Sequence, residues 1–342
     1  MRNFGWAAAA VALTLGACGT QADNETENDG ETLTIYSARH YDSDYALYEA
    51  FERDTGIKVN VVEAEGDLLI ERVKADGERS AADVIITVDA GRLWRADEEG
   101  LFAPLDSALL NERVPANFRH PDGHWYGIAT RARVIVYAED RVDAAQLTGY
   151  ASLADPQFEG RVCARSSGNI YNISLLAALV ERWGETEAEE WARGVAANFA
   201  RDPVGGDSDQ IKAVKAGECD VALVNHYYLA RMMVDENEDV SGVKVAWPQA
   251  DGGVHVNISG GGVAKDAPNP ELARQFLEYA MSDASQRLFA DLTGEYPVVS
   301  SVTYTNPALA EMGEFDTDPL SVNVYGVNQG VAQQIFDRVG WQ

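Results

Sequence analysis

Cysteine is nearly missing from this sequence, with three in 342 residues. That is too few for a disulfide scaffold or a cysteine-rich metal site. Histidine numbers only five, and no His/Cys spacing suits tetrahedral zinc. Positive charge is the next shortage: 27 Lys+Arg stand against 55 Asp+Glu, a formal charge of −28 and a pI near 4.4. A polyanion such as nucleic acid, or an anionic membrane, would be repelled before contact formed. Catalytic signatures are absent too: there is no G-x-S-x-G elbow, no P-loop and no H-E-x-x-H. The one glycine run, Ser259-Gly260-Gly261-Gly262, lacks the lysine of a phosphate-binding motif and reads as a turn.

What is present is apolar enough to fold. With 46% hydrophobic and 24% charged residues, the chain can build one large domain or two ordinary ones, and it is not disordered. The acidic balance fits a soluble protein, a salt-rich environment or a cationic ligand. A solvated acidic surface explains it most simply.

The first residues read as an address. Met1-Arg2-Asn3 is a short positive start, and Phe4 to Leu15 is an apolar run too short for a stable bilayer anchor. Its exit, Leu15-Gly16-Ala17-Cys18, resembles a bacterial lipobox, which would lipidate Cys18 and make 1–18 a signal peptide. A competing cut lies after Ala22, behind the small residues of Thr20-Gln21-Ala22. Residues 19–31 are polar and acidic and are expected to form a flexible tether. Once Cys18 is consumed, Cys163 and Cys219 remain. In an exported chain two cysteines favour a disulfide, the alternative being two separate buried thiols.

From residue 32 onward, strand and helix patterns alternate, as in βαβ units with a mostly parallel sheet. Strands are expected at Leu33–Tyr36, Ile57–Val62 and Asp83–Asp89, with helices around Asp44–Asp54 and Asp67–Asp76. A second set starts near Arg133–Tyr137 and continues through Arg161–Ala164, a helix from about Ser174 to Trp183, another around Gln210–Ala216, and the strand Asp220–Val224. Two such units without a flexible linker suggest an α/β protein of two lobes around a cleft. Ligands in such sheets sit at the carboxyl ends of strands.

Three of those strand ends carry tyrosines: Ser37-Ala38-Arg39-His40-Tyr41, Ser166-Ser167-Gly168-Asn169-Ile170-Tyr171-Asn172 and Asn225-His226-Tyr227-Tyr228. A lone loop tyrosine is ordinarily a half-buried plug. Three at equivalent positions, one a Tyr-Tyr pair, ask for another account. Four phenols and an imidazole suit a hard, highly charged cation. Free phenol ionises near pH 10, and a trivalent ion supplies the field that removes its proton. Hard oxygen donors select Fe(III). Calcium would need an acidic loop, and Asp42-Ser43-Asp44 is too short for one.

At these residues a family resemblance emerges. Tyr36 to Tyr41, Ile85 to Trp94, Ser166 to Asn172, Tyr227 to Arg231, Asn257 to Gly262, Glu295 to Val298 and Asp337 to Trp341 are similar to the periplasmic ferric-iron-binding proteins of bacterial and cyanobacterial iron ABC transporters. The likeness covers about 32–342. It implies a class II periplasmic-binding-protein fold, its two lobes joined by crossover strands. The first lobe would be 32–129 plus 253–305, and the second 130–252 plus 306–342. Fe(III) would be the transported ligand, held by His40, Tyr41, Tyr171, Tyr227 and Tyr228, with a synergistic anion such as carbonate beside it. Arg39, Arg131 and Arg231 would balance the phenolates, and His226 would be a spare ligand or, more in keeping with its place, a supporting or solvent-facing side chain. A Cys163–Cys219 bridge would brace the loops carrying three ligands. The implied role is that of a periplasmic, lipid-anchored monomer, not an enzyme, which hands iron to an inner-membrane ABC permease and its ATPase. The competing expectations are a receptor for a polyamine or an oxyanion, and a periplasmic iron buffer.

Overall fold

The computed structural model describes residues 31–250 and 252–342. The expected signal peptide, the lipidation site Cys18, the alternative cut after Ala22 and the tether up to residue 30 lie outside the described residues. No helix among the described residues is long and apolar enough to cross a membrane.

The β-branched and apolar residues that open this part form β1 (Thr32–Ser37), followed by α1 (Asp42–Thr55), β2 (Lys58–Glu63), α2 (Gly66–Asp76), β3 (Val84–Val88) and α3 (Ala90–Glu98). Gly56 ends α1 in the left-handed region at φ 77°, its N–H bonded to the Glu52 carbonyl. After the short α4 (Ala108–Arg113) comes β4 (Tyr126–Ala138), at thirteen residues far longer than the strand expected at Arg133–Tyr137. Then follow β5 (Val162–Cys163), α5 (Ile170–Trp183), α6 (Glu185–Ala197), α7 (Asp207–Ala216), β6 (Val221–Asn225), α8 (His226–Val234), β7 (Val243–Ala246) and β8 (Val256–Val263). The chain closes with α9 (Pro270–Ala280), α10 (Asp283–Leu288), β9 (Tyr296–Pro297), α11 (Pro307–Met312) and α12 (Asn323–Val339).

The strands form one continuous path with two halves. β1 pairs in parallel with β2 and β3, and β8 joins β3 antiparallel. The first part of β4, Tyr126–Ala132, pairs with β8, while its second part, Arg133–Ala138, pairs with β6 and β7. β5 lies parallel to β6. One strand therefore belongs to both halves of this two-lobed α/β architecture. The first half buries Leu33, Ile35, Phe51 and Phe276 on one face and Leu69, Leu93 and Trp125 on the other. The second half buries Leu175, Trp191 and Phe336 on one face and Val134, Ile211 and Val224 on the other. Helix α12 serves both: Tyr325 packs with Leu93 and Trp125, whereas Ile335 and Phe336 pack with Leu175 and Trp341.

The expected glycine turn at 259–262 is instead the middle of β8. A Cβ on Gly260 would lie 2.7 Å from the Tyr126 carbonyl oxygen, and one on Gly262 would lie 2.1 Å from that of His124. The glycines are there because neighbouring backbone approaches too closely for any side chain. A second revision concerns α5, which begins at Ile170, so Tyr171 stands in the first helical turn and not in the preceding loop.

Cys163 and Cys219 are bonded, joining the end of β5 to the turn before β6 across 56 residues of sequence. Closing so long a loop restricts the unfolded chain, so the Cys163→Ser/Cys219→Ser variant should lose roughly 2–4 kcal/mol of stability. Equilibrium denaturation would register this, and an unchanged midpoint would mean the bridge braces nothing.

Candidate functional site

On the first side, β1 runs out at Ser37 and the chain turns into α1, placing Tyr41 at the helix N-cap. The Asp44 carboxylate fixes this turn by accepting the Tyr41 N–H at 2.9 Å and the Arg39 Nε–H at 2.7 Å. Arg39 is no surface residue: it is 2% exposed. It donates two bonds to Glu295, at 2.7 and 3.2 Å, and one to the Ser259 hydroxyl. Its guanidinium lies 5.2 Å from the centre of the Tyr41 ring. Burial opposes its charge, but Asp44 and Glu295 outweigh burial and hold its pKa above the ordinary value. Glu295 shows the same contest from the other partner, burial working to raise its pKa and Arg39 winning to hold it below the usual carboxylate range. For Asp44 burial wins over Arg39, and its pKa is raised.

The second side presents three phenols from two helix starts. Asn169 caps α5 by accepting the Tyr171 N–H at 3.1 Å. β6 ends at Asn225, and α8 opens immediately on His226, Tyr227 and Tyr228. A buried network aligns these two helix starts. Arg133 donates to Asp207 at 2.8 Å, to Asn172 at 2.6 Å and to Asn225 at 3.2 Å. Asp207 also accepts the Asn225 N–H at 2.8 Å.

His226 faces neither solvent nor ligand. Its Nδ1 accepts the Ala132 N–H at 3.1 Å, so Nε2 carries the proton and donates to the Gly294 carbonyl at 2.8 Å. Burial pushes its pKa down to about 4, so the ring is neutral. Of the expected roles, spare ligand, supporting side chain or solvent-facing one, the supporting role is the one its place fits: a buried strut beneath the tyrosine pair, stacked 4.5 Å from the Tyr296 ring.

The phenols meet where the two sides touch. The Tyr41 and Tyr227 hydroxyls are 3.3 Å apart, and the Tyr227 and Tyr228 rings stack at 4.3 Å. Tyr171 lies under Arg131 and Arg165, whose guanidinium carbons are 5.2 and 5.6 Å from its ring centre. Burial first, and Tyr171 next, push the phenols of Tyr41, Tyr227 and Tyr228 above their usual pKa. In the free protein these groups are therefore neutral. Arg131 is buried beside them, bonded to Ser259 at 2.9 Å and paired through Nη2 with the Asp89 carboxylate at 3.9 Å, its Nε without a hydrogen-bond partner. A buried cation next to a phenol cluster suits negative charge that arrives with a ligand. The arrangement can hold a hard, multiply charged cation.

His40 is set apart, exposed at the rim with its ring 5.5 Å from that of Tyr41. Arg231 is exposed as well, its guanidinium 5.7 Å from the centre of the Tyr41 ring. A cavity of about 590 Å³ opens beside the cluster, lined by His40, Tyr41, Arg92, Arg165, Tyr171 and Tyr228. Sequence reasoning assigned no role to Arg92, Arg165, Ser259 or Glu295. It also overlooked Asp89, a non-glycine residue at φ 83° that caps α3. Asp89 accepts bonds from the Gly91 N–H at 2.8 Å, Ser174 at 2.6 Å and Asn257 at 2.8 Å, and burial raises its pKa. An acidic residue ending the apolar run 84–88 was the available signal, since a carboxylate there must find partners.

Residues 79–315 match the model of the bacterial extracellular solute-binding proteins, and the chain belongs to that family. It is 46% identical over 318 residues to iron uptake protein A2 of Synechocystis sp., covering 91% of this chain and 90% of the relative. Among solved structures, a Trichodesmium protein in complex with iron and citrate superposes with a TM-score of 0.87 at 47% identity, covering 91% of this chain and all of that one. Ferric iron-binding protein A of Mannheimia haemolytica in an open conformation superposes with a TM-score of 0.85 at 36% identity, covering 91% and 99%. This is a family of binding proteins and not of enzymes.

Proposed function

We propose that this chain is the periplasmic ferric-iron receptor of an ABC transporter. One observation carries the reading. Tyr41 from one side and Tyr227 from the other meet hydroxyl to hydroxyl at 3.3 Å, with Tyr228 stacked on Tyr227 and the Arg131 guanidinium buried beside them. The ligands are Tyr41, Tyr171, Tyr227 and Tyr228, with His40 swinging in from the rim. Relatives and structural neighbours named for iron uptake and ferric binding support this choice of cation.

Capture starts on the second side, where Tyr171, Tyr227 and Tyr228 ionise as Fe(III) arrives, and Arg131 offsets their charge. Closure of the lobe 32–129 plus 253–305 onto 130–252 plus 306–342 then adds Tyr41. Excluded water lowers the local dielectric and strengthens each phenolate bond. Arg92 and Arg165 at the cavity wall suit an accompanying anion, carbonate or a carboxylate chelator. The loaded monomer docks on an inner-membrane permease driven by its ATPase, and Cys18 tethers it to the membrane by lipid.

Because the phenols of Tyr41, Tyr227 and Tyr228, whose pKa values are raised, must ionise, binding releases about one proton from each, and affinity falls as pH falls. Titrating the iron-free protein with ferric citrate should give a coloured complex, proton release above a citrate blank and a raised melting temperature. A colourless titration with no thermal shift would sink the reading.

A further inference from the structure

A second group of metal-binding side chains lies outside the tyrosine cluster. The sequence His120-Pro121-Asp122-Gly123-His124 makes the tip of a hairpin leading into β4. Arg119 bridges Tyr126, the His120 N–H bonds to the Trp125 carbonyl at 2.9 Å, and the Gly123 N–H bonds to the His120 carbonyl at 3.1 Å. Gly123 has φ 74°, and a Cβ there would sit 2.5 Å from the Leu105 carbonyl oxygen, so the turn admits only glycine. So tight a turn brings the two imidazoles face to face, 4.5 Å apart and within 5° of parallel. Both then address one carboxylate, that of Asp97 in the last turn of α3. His124 Nδ1 is 2.5 Å from Oδ1, and His120 Nε2 is 3.3 Å from Oδ2.

Asp97 is an odd residue to find there. The C-terminal end of a helix carries partial negative charge and disfavours a carboxylate. The arginine nearest on its own helix does not relieve it, since Arg95 is engaged by Asp67 and Glu71. Two stacked imidazoles cannot both charge without repelling one another. The cluster offers two imidazole nitrogens and a carboxylate oxygen, half-buried, with one ligand atom of each residue within 4.8 Å of the others.

We propose that Asp97, His120 and His124 form a separate binding site for a borderline divalent transition metal, of the class of Zn(II) or Co(II). Two imidazoles and one carboxylate are the donors that suit this class, in contrast to the phenol-rich set that suits a trivalent ion. Bonds of about 2.0–2.2 Å place donors roughly 3–3.5 Å apart, so the His124–Asp97 pair at 2.5 Å must part slightly, while any pair near the 4.8 Å limit draws in. Ligation through His120 Nε2 moves that ring's proton to Nδ1, which gives up a 3.2 Å bond from the Asp122 N–H to water. The partial exposure of all three residues leaves room for water to complete the coordination sphere. A metal here ties the end of α3 to the hairpin that feeds β4.

The test is Co(II) titration of the chelator-treated full-length protein, followed by its visible absorption. Tyr227→Phe/Tyr228→Phe should still bind one Co(II), because these donors lie elsewhere. His120→Ala/His124→Ala should lose Co(II) binding by more than about 100-fold, and Asp97→Asn, which keeps the side-chain shape, by about 10–100-fold. Both should keep the ferric colour, which also certifies that they are folded. Co(II) binding that survives in His120→Ala/His124→Ala, or that is absent from the Tyr227→Phe/Tyr228→Phe protein, overturns the site.

Discussion

Replacing Tyr227 and Tyr228 together by phenylalanine should abolish the coloured ferric complex while leaving a folded protein. Phenylalanine keeps the ring that stacks at 4.3 Å and fills the same volume, so packing is preserved and only the two oxygens are lost. Removing an outer-shell partner of a metal ligand typically costs 10–100-fold in affinity. Deleting two ligating oxygens should therefore weaken ferric binding by well over about 100-fold and erase the ligand-induced rise in melting temperature. His40→Ala should do much less, because His40 stands exposed at the rim and its ring is 5.5 Å from that of Tyr41. Visible spectroscopy and thermal melts with ferric citrate read both effects. A double variant that still binds iron stoichiometrically with full colour would remove the tyrosine pair from the ligand set.

The second large effect concerns stability. Glu295→Ala should destabilise the iron-free protein by about 3–5 kcal/mol, the usual consequence of leaving one member of a buried ion pair alone. Both side chains of the Arg39–Glu295 pair are 1% exposed, and Asp44 is the other carboxylate bonded to Arg39. Replacing both members by apolar residues, as in Arg39→Met/Glu295→Leu, should recover only part of the loss, because the buried Asp44 carboxylate then loses its Arg39 partner. The pH dependence follows from the sign of the shift. Since Arg39 holds Glu295 below the usual carboxylate range, its contribution is present at neutral pH and is lost as pH falls through the folded-state value. Urea denaturation at neutral and acidic pH measures both, and a loss under about 1 kcal/mol for Glu295→Ala would show that the pair is not a keystone.

The parts of the fold that were legible are those written in short-range pattern. β1, α1, β3 and β6 follow from apolar runs and stop signals, and residue spacing brought the tyrosine positions forward as strand-end features. Glycines 260–262 were misread because local propensity treats glycine as a turn former, while their reason lies in backbone from distant segments. The length of β4 was hidden because its middle reads as a mixed polar stretch, Thr130-Arg131-Ala132-Arg133. Those arginines face buried partners supplied by Ser259, Asp207 and Asn172, all far off in sequence. For His226 a supporting role was legible, but not its partners: nothing nearby reveals that the Ala132 N–H and the Gly294 carbonyl consume both its nitrogens. The tyrosine positions were visible; Asp44 and Asp207, which fix the turns that carry them, were not.

Helix α12 gives the molecule a mechanical constraint. Its first turns are seated against α3, where a Cβ on Gly326 would lie 2.2 Å from the Trp94 side chain, and its later turns belong to the core of the opposite half. A rigid rod anchored in both halves cannot follow them both when they part. Any parting of the halves must therefore break the packing of α12 against one of them. At Gly326 the Trp94 side chain takes the space a Cβ would need, so one residue without a side chain lets α12 lie close against α3.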